Sequence, residues 1–485
     1  MSLVRRFWPH HHHHHLLLCC SQSSSTSTSS NHHTSTNTRA TLFTITSSAR
    51  PTQQRRNSPI QQQLSPLIRS SIRTMQESPS RWPAGTGGVT VRLDEKLKSI
   101  ELHGVIQGVQ QPTHISIPYI WLRDHCKCTQ VPWCYNADTN QRNVDILSLY
   151  DSLGVETMRV KDAAVTDANT LTIIWDDDHV TQFDTKYLCA VHTTLLPHTS
   201  QQRHIKKTWN AEKLAKIGGV PRVEYARIND KDKRVRTEGL QELYKNVLVY
   251  GVAIVDGVPS DDPEKTFELA NLVGIKQTTI YDDTWVFSAE RQDREDTAYS
   301  TQQLGAHTDG TYYGTAPGIQ IFHCLQQAER GGHTLLVDGF NAAYALRSQN
   351  PQAFSYLCEL AVPHHFKGDG VYLVCRDLPV LRPKATDPNQ LMQIRYNPYD
   401  RATFVLFRGM NNHFKSFYRF YHQLSQHIRA PENEHWHLLR PGQVLFIDNW
   451  RVLHGRSSFQ GHRRMAGCYL TRDDFNSRAR VLGVY

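Results

Sequence analysis

Apolar and polar residues alternate along VTVRLDEKLKSIELHG, which starts at Val89, and again along TLTIIWDDDHVTQFD at 170–184. A period of two puts one apolar row on one face of a sheet, so both runs predict short strands. The runs GIQIFHCL, HTLLVDGF and PGQVLFID, further along, are also strand-like and are bounded by turn residues.

Two segments follow a helical period instead. SDDPEKTFELANLVG opens with acidic residues and Pro263, spaces its apolar residues helically and meets Gly274 as a stop. HFKSFYRFYHQLSQHI aligns Phe414, Phe417, Tyr418, Tyr421, Leu424 and Ile428 on one stripe, which predicts core packing rather than a binding face. Short strands between Gly/Pro turns, buttressed by helices, predict a mainly β fold with α. The expected form is a double-stranded β-helix of the jelly-roll kind over 204–485. A small β-rich domain over 87–203 precedes it, with the basic, polar stretch HIKKTWNAEKL at 204–214 as the boundary.

Length agrees, since 485 residues suffice for two or three cores. No run approaches the ~18 apolar residues of a membrane span; the best is Leu16 to Leu18. The net charge of +9 would suggest nucleic acid, but residues 1–76 hold eight arginines and neither lysine nor acid, leaving 46 basic against 45 acidic residues. The body therefore carries no charge signal for nucleic acid. An Arg- and Ser/Thr-rich, acid-free leader over 1–85, outside the fold, has the composition of a mitochondrial transit peptide, which predicts the matrix.

The candidate chemistry starts at LGAHTDGTYYG. In a strand, His307 and Asp309 would project from one face and could chelate a metal, although the triplet alone suits a solvated strand end equally well. A facial triad needs a third ligand, and His454 in RVLHGR is the best candidate, with Gly455 beside it to let the backbone turn. Arg463 could clamp a carboxylate, and Thr334 could add a hydroxyl hydrogen bond. Ten cysteines are too few for a secreted disulfide scaffold. Cys126, Cys128 and Cys134 cluster, and with His179 would make a Cys3His structural zinc site; three buried thiols without metal is the other reading.

Beyond these residues, WLRDHC, CYNADTNQR, GIQIFHCL, LLVDGF, IRYNPYDRA, PENEHW, VLFIDNWRVLHGR and GCYLTRDDFNSRARVLG, in this order from about residue 100, carry a resemblance. The chain resembles the trimethyllysine and γ-butyrobetaine dioxygenase family of iron(II)- and 2-oxoglutarate-dependent oxygenases. The resemblance implies that His307, Asp309 and His454 hold Fe(II), and that Arg463 and Thr334 bind the C5 carboxylate of 2-oxoglutarate. O2 would be the second co-substrate and ascorbate the reductant. Tyr281, Trp285, Tyr299 and Tyr469 match the aromatic cage for a trimethylammonium group, which has no N–H to donate and is recognised by ring faces. Asp296 would take the α-ammonium and Asn397 the carboxylate end of the substrate. The implied reaction is C3 hydroxylation of trimethyllysine, the first step of carnitine biosynthesis, in a homodimer. Hydroxylation of γ-butyrobetaine is the alternative, disfavoured by YLTRDDFNSRARVLG and by the leader. A zinc-bearing interaction module on an inactive scaffold would lack a ligand or show a basic face, and neither holds here.

Overall fold

A computed structural model describes residues 89–484 except 107–112, 130–133, 144, 146, 148–155, 167–168, 193–205, 289–299, 369 and 406–410. The expected leader lies outside the described residues.

The first part is built from two antiparallel three-stranded sheets. One joins Val89–Asp94, Ser99–Gly104 and Thr113–Pro118; the other joins Val160–Thr166, Thr170–Trp175 and Val180–Asp184. The alternation in TLTIIW becomes burial: Leu171, Ile173 and Trp175 enter a core with Ile100, Leu102 and Leu122, while Thr170, Thr172 and Ile174 face outward. Asp178, in the left-handed region at φ 62°, turns DDDH so that His179 sits at the head of the last strand.

From Lys206 onward two larger sheets form. The six-stranded sheet runs Trp285–Ser288, Arg464–Leu470, Ile319–Gln326, Gln443–Asp448, Val252–Asp256, Arg222–Glu224, antiparallel except for its last pair. The four-stranded sheet runs Leu304–His307, Val452–Arg456, Thr334–Asp338, His435–His437, antiparallel throughout. Ile254, Leu445 and Met465 of the first and Leu336 and Val452 of the second share one core, so the sheets pack together. GIQIFHCL, HTLLVDGF and PGQVLFID are all strands, as expected.

Both expected helices form. Glu264–Val273 starts on Asp262, whose carboxylate accepts from the Glu264 N–H at 2.9 Å, and ends at Gly274. Gly274 is extended rather than left-handed; a Cβ there would meet Leu470 at 3.0 Å. Asn411–Ile428 buries Phe417, Tyr421, Leu424 and Ile428, each stabilising by about 1.5–3 kcal/mol. Tyr418, expected on that stripe, is 55% exposed and Phe420 is buried instead, because Tyr418 flanks the apolar arc that packs inward.

The stretch expected as a boundary packs, from Lys206 on, with the elements around the two larger sheets. Trp209 is buried, with its indole N–H on the Tyr250 carbonyl at 2.7 Å and its backbone N–H on Asp338 at 3.0 Å. Asp338 and Arg451, both without solvent exposure, form a two-pronged ion pair at 2.8 and 3.1 Å. Arg451 also donates to the carbonyls of Val249 and Lys207, at 2.8 and 2.6 Å, so every arm of the pair is satisfied.

Candidate active site

The strand Leu304–His307 ends on His307, and Asp309 lies just beyond it rather than within a continuous strand. His307 stands directly across from His454 in the antiparallel register, with ring centroids 4.5 Å apart. Asp309 is placed by Asn449, which accepts its N–H at 2.8 Å and donates to its carbonyl at 3.0 Å. Gly455 continues the strand Val452–Arg456 and makes no turn. Its missing Cβ matters because one would lie 2.5 Å from the Leu304 carbonyl, so glycine lets the two histidine-bearing strands close up.

The carboxylate of Asp309 is divided between two tasks. Its Oδ1 lies 3.2 Å from His307 Nε2 and 3.5 Å from His454 Nε2. Its Oδ2 accepts from the Tyr469 hydroxyl at 2.7 Å and from the Gln320 amide. His307 Nδ1 is 2.8 Å from the Gly305 carbonyl, which fixes that nitrogen as a donor, so that the neutral ring carries its lone pair on Nε2 and the protonated ring donates from Nε2 to Asp309. Burial opposes charge on all three. It pushes His454 down to about 4, leaving it neutral. It would raise Asp309, but the facing imidazoles and the Tyr469 hydroxyl hold this carboxyl well below the usual carboxylate range. His307, despite burial, is raised by its hydrogen bond and charge interaction with Asp309. Two imidazole nitrogens and one carboxylate oxygen, all within 4.8 Å of one another, form a donor set that fits a divalent iron with open positions.

These residues line a cavity of about 380 Å³. Thr334 and Arg463 lie in its wall. Burial, with Arg456 nearby, pushes the Arg463 guanidinium down to about 10. Its neighbours are the rings of Phe459 and Phe287, at 5.6 and 5.9 Å, and it has no carboxylate partner among the described residues. A cation so placed favours an anionic ligand. Tyr281, Trp285 and Tyr469 line the same cavity, with Trp285 centred 4.7 Å from Tyr469 and 6.4 Å from Tyr281. Gly467 makes room for that indole, since a Cβ there would fall 2.8 Å from it. Asn397 also lines the cavity; its amide donates to Asp400 at 2.7 Å, and its carbonyl accepts from the Tyr399 and Asp400 N–H groups. Asp296 and Tyr299 fall within 289–299, outside the described residues.

Sequence reasoning did not single out Gln320, Asn449, Tyr312 or Asp400. Gln320 had a usable signal, a polar residue inside the apolar run GIQIF, and it is 1% exposed. In the first part, Cys126 and Cys134 lie 3.3 and 3.6 Å from His179 Nε2, all three buried. A hydrogen bond from Cys134, with His179 beside it, lowers the Cys126 thiol despite burial. Cys128 stands outside this cluster, touching Cys126 only through its backbone N–H at 3.4 Å.

Residues 210–469 match the taurine catabolism dioxygenase TauD, TfdA family, and residues 109–189 match the γ-butyrobetaine hydroxylase-like N-terminal family. The mitochondrial trimethyllysine dioxygenase of Gallus gallus is 40% identical over 377 residues, which are 77% of this chain and 84% of that protein. The Homo sapiens protein of the same name is 37% identical, covering 77% of this chain and 84% of that protein. The Homo sapiens γ-butyrobetaine dioxygenase is 27% identical, covering 75% of this chain and 90% of that protein. With two strands presenting a His/Asp/His cluster beside an aromatic wall, and with relatives of this identity and coverage, the chain belongs to the trimethyllysine dioxygenase family within the TauD/TfdA dioxygenases.

Proposed function

We propose that this protein hydroxylates N6,N6,N6-trimethyllysine at C3 and converts 2-oxoglutarate and O2 to succinate and CO2, the first step of carnitine biosynthesis. One observation carries the reading: a single cavity joins the His/Asp/His cluster, an arginine without a carboxylate partner among the described residues, and a wall of aromatic rings. His307 and His454 through Nε2, and Asp309 through Oδ1, would hold Fe(II). Bound there, the metal supplies the activation of O2 and the oxidising power for an unactivated C–H bond.

The chain's own residues position the reactants. Tyr469 and Gln320 occupy Asp309 Oδ2, so one oxygen alone is offered inward. Arg463 receives the C5 carboxylate of 2-oxoglutarate in a charge-assisted pair, and Thr334 adds a hydroxyl. Tyr281, Trp285 and Tyr469, with Tyr299, hold the trimethylammonium by their ring faces and keep water from it. Asn397 stands at the carboxylate end of the substrate, and Asp296 is the residue the sequence offers to the α-ammonium.

The two packed sheets are read as a double-stranded β-helix carrying this site. Zn(II) would be held by Cys126, Cys134 and His179, with Cys128 as the fourth donor, as a closed structural site of the first part. The relatives' mitochondrial names and the arginine-rich leader support a mitochondrial protein, read here as one of the matrix; ascorbate as reductant and a homodimer as the assembly follow from the family resemblance alone.

Product analysis with trimethyllysine and γ-butyrobetaine in parallel, under anaerobic loading with iron and 2-oxoglutarate followed by oxygen, tests the reading. Hydroxylated trimethyllysine with stoichiometric succinate is expected, and a preference for γ-butyrobetaine overturns it.

A further inference from the structure

The outer face of the first three-stranded sheet carries a group of side chains that the proposed hydroxylation does not use. In SIELHG and THISIP every second residue turns inward: Ile100, Leu102, Ile115 and Ile117 all enter the core of the first part. The same alternation turns Glu101, His103 and His114 outward, on one face of two neighbouring strands. The antiparallel register sets His103 directly opposite His114, and their rings stack with centroids 4.1 Å apart and planes 20° apart. Glu101, two positions before His103 on its strand, brings Oε2 to 3.5 Å from His103 Nε2. One nitrogen from each histidine and one oxygen of Glu101 lie within 4.8 Å of one another.

Histidines and glutamates on a solvated strand face usually have no further role. Here, however, the three donors converge, and the backbone beneath them is stiff, because the opposite face of both strands is packed core. The sheet has therefore already done most of the ordering that binding an ion would require. The Glu101 side chain is only 16% exposed, lying against His103 and Arg92. Its contact with Arg92, at 3.8 Å and from an arginine 74% exposed, is weak enough for an ion to displace. Two imidazoles and one carboxylate suit zinc or copper(II); magnesium and calcium prefer shells made of oxygen alone.

We propose that Glu101, His103 and His114 bind a divalent transition-metal ion of the zinc class on the outer face of this sheet. The site shares no residue with the Cys126, Cys134 and His179 cluster or with the His307, Asp309 and His454 cluster, and it does not depend on the proposed hydroxylation. Three protein donors leave a fourth position to water, so this ion exchanges with solvent, in contrast to the closed sites that thiolates form. It ties Ser99–Gly104 to Thr113–Pro118 and must leave before these two strands part.

The test follows the reaction of individual histidines with diethyl pyrocarbonate in the full chain, resolved by peptide mass, with and without zinc chloride. Peptide resolution separates the site from the histidine run at 10–15, which also takes up zinc. Zinc should slow the modification of His103 and His114 together and leave His422, exposed on the helix Asn411–Ile428, as reactive as before. His114→Gln should raise the zinc concentration that half-protects His103 by at least the roughly ten- to hundredfold that follows loss of an outer partner of a metal ligand. Glu101→Gln should raise it for both histidines. Both substitutions lie on a solvent-facing strand surface, and thermal denaturation without zinc checks that the fold is kept. Protection of His103 and His114 no greater than that of His422 overturns the proposal, as does half-protection at the wild-type zinc concentration in either variant.

Discussion

The hydroxyl of Tyr469 donates to Asp309 Oδ2 at 2.7 Å while its ring packs 4.7 Å from Trp285, so one side chain belongs both to the ligand cluster and to the aromatic wall. Tyr469→Phe keeps the ring and removes the hydrogen bond. Iron affinity should fall roughly ten- to a hundredfold, as when other partners of metal ligands are removed, with a smaller change in the KM for trimethyllysine. Metal titration followed by turnover at saturating iron separates the two effects. An unchanged iron affinity would show that Asp309 does not need this partner.

Arg463 gives a second expectation. Arg463→Met should raise the KM for 2-oxoglutarate by roughly ten- to a hundredfold, corresponding to the ~1.5–3 kcal/mol of a charge-assisted hydrogen bond, and leave the KM for trimethyllysine close to wild type. Steady-state kinetics with each substrate varied in turn provide the check. An unaltered 2-oxoglutarate requirement would remove Arg463 from the co-substrate site.

The ion pair of Arg451 and Asp338 bears on stability rather than chemistry. Arg451→Met leaves a fully buried carboxylate without its cation, which should cost about 3–5 kcal/mol in urea unfolding. A loss below about 1 kcal/mol would mean that water reaches Asp338 in the variant.

Acid should destabilise the fold earlier than carboxylates alone would require. Burial lowers His323 to about 4, and burial with the charge of Arg395 lowers His364 to about 3, against 6.5 for the free side chain. Both are therefore depressed in the folded state. As pH falls below about 6.5, the unfolded chain takes up protons that the folded chain refuses, so stability is complete above that pH and is lost toward pH 4, at about 1.4 kcal/mol per unit for each histidine. Urea midpoints at pH 7.5 and 5 measure the slope, which His323→Gln should flatten; equal midpoints at the two pH values would contradict the assignment.

Much of this was legible in the sequence, because the features concerned are local. Period-two runs became strands and the amphipathic stripe became a helix, although Tyr418 and Phe420 exchange sides, since a stripe seen in projection does not say which edge the neighbouring strands cover. The motifs singled out His307, Asp309 and His454, which the structure brings into one cluster. Long-range register was not legible: that His307 faces His454 depends on the pairing of strands almost 150 positions apart in sequence, and the reason for Gly455 appeared only with that pairing. Asp400 was hidden for a similar reason, since nothing within NPYDRA says that this turn packs beside Gly305.

The bonds of Arg451 have a consequence for how the protein comes to be active. Its guanidinium joins Lys207, Val249 and Asp338, and the contact with Lys207 closes a separation of 244 residues. Arg451 lies three positions before His454, so this non-local closure and the placement of the last residue of the His/Asp/His cluster occur in the same stretch of chain. Contacts of such long sequence separation form slowly because their loop-closure entropy comes first. A nascent chain released near residue 440 would carry His307 and Asp309, yet would lack Gln443–Asp448, Val452–Arg456 and Arg464–Leu470, interior strands of both large sheets, and with them the clamp and His454. With iron held as proposed, competence to bind it would be gained late in synthesis, and partly made chains would not turn over 2-oxoglutarate before the substrate site is finished.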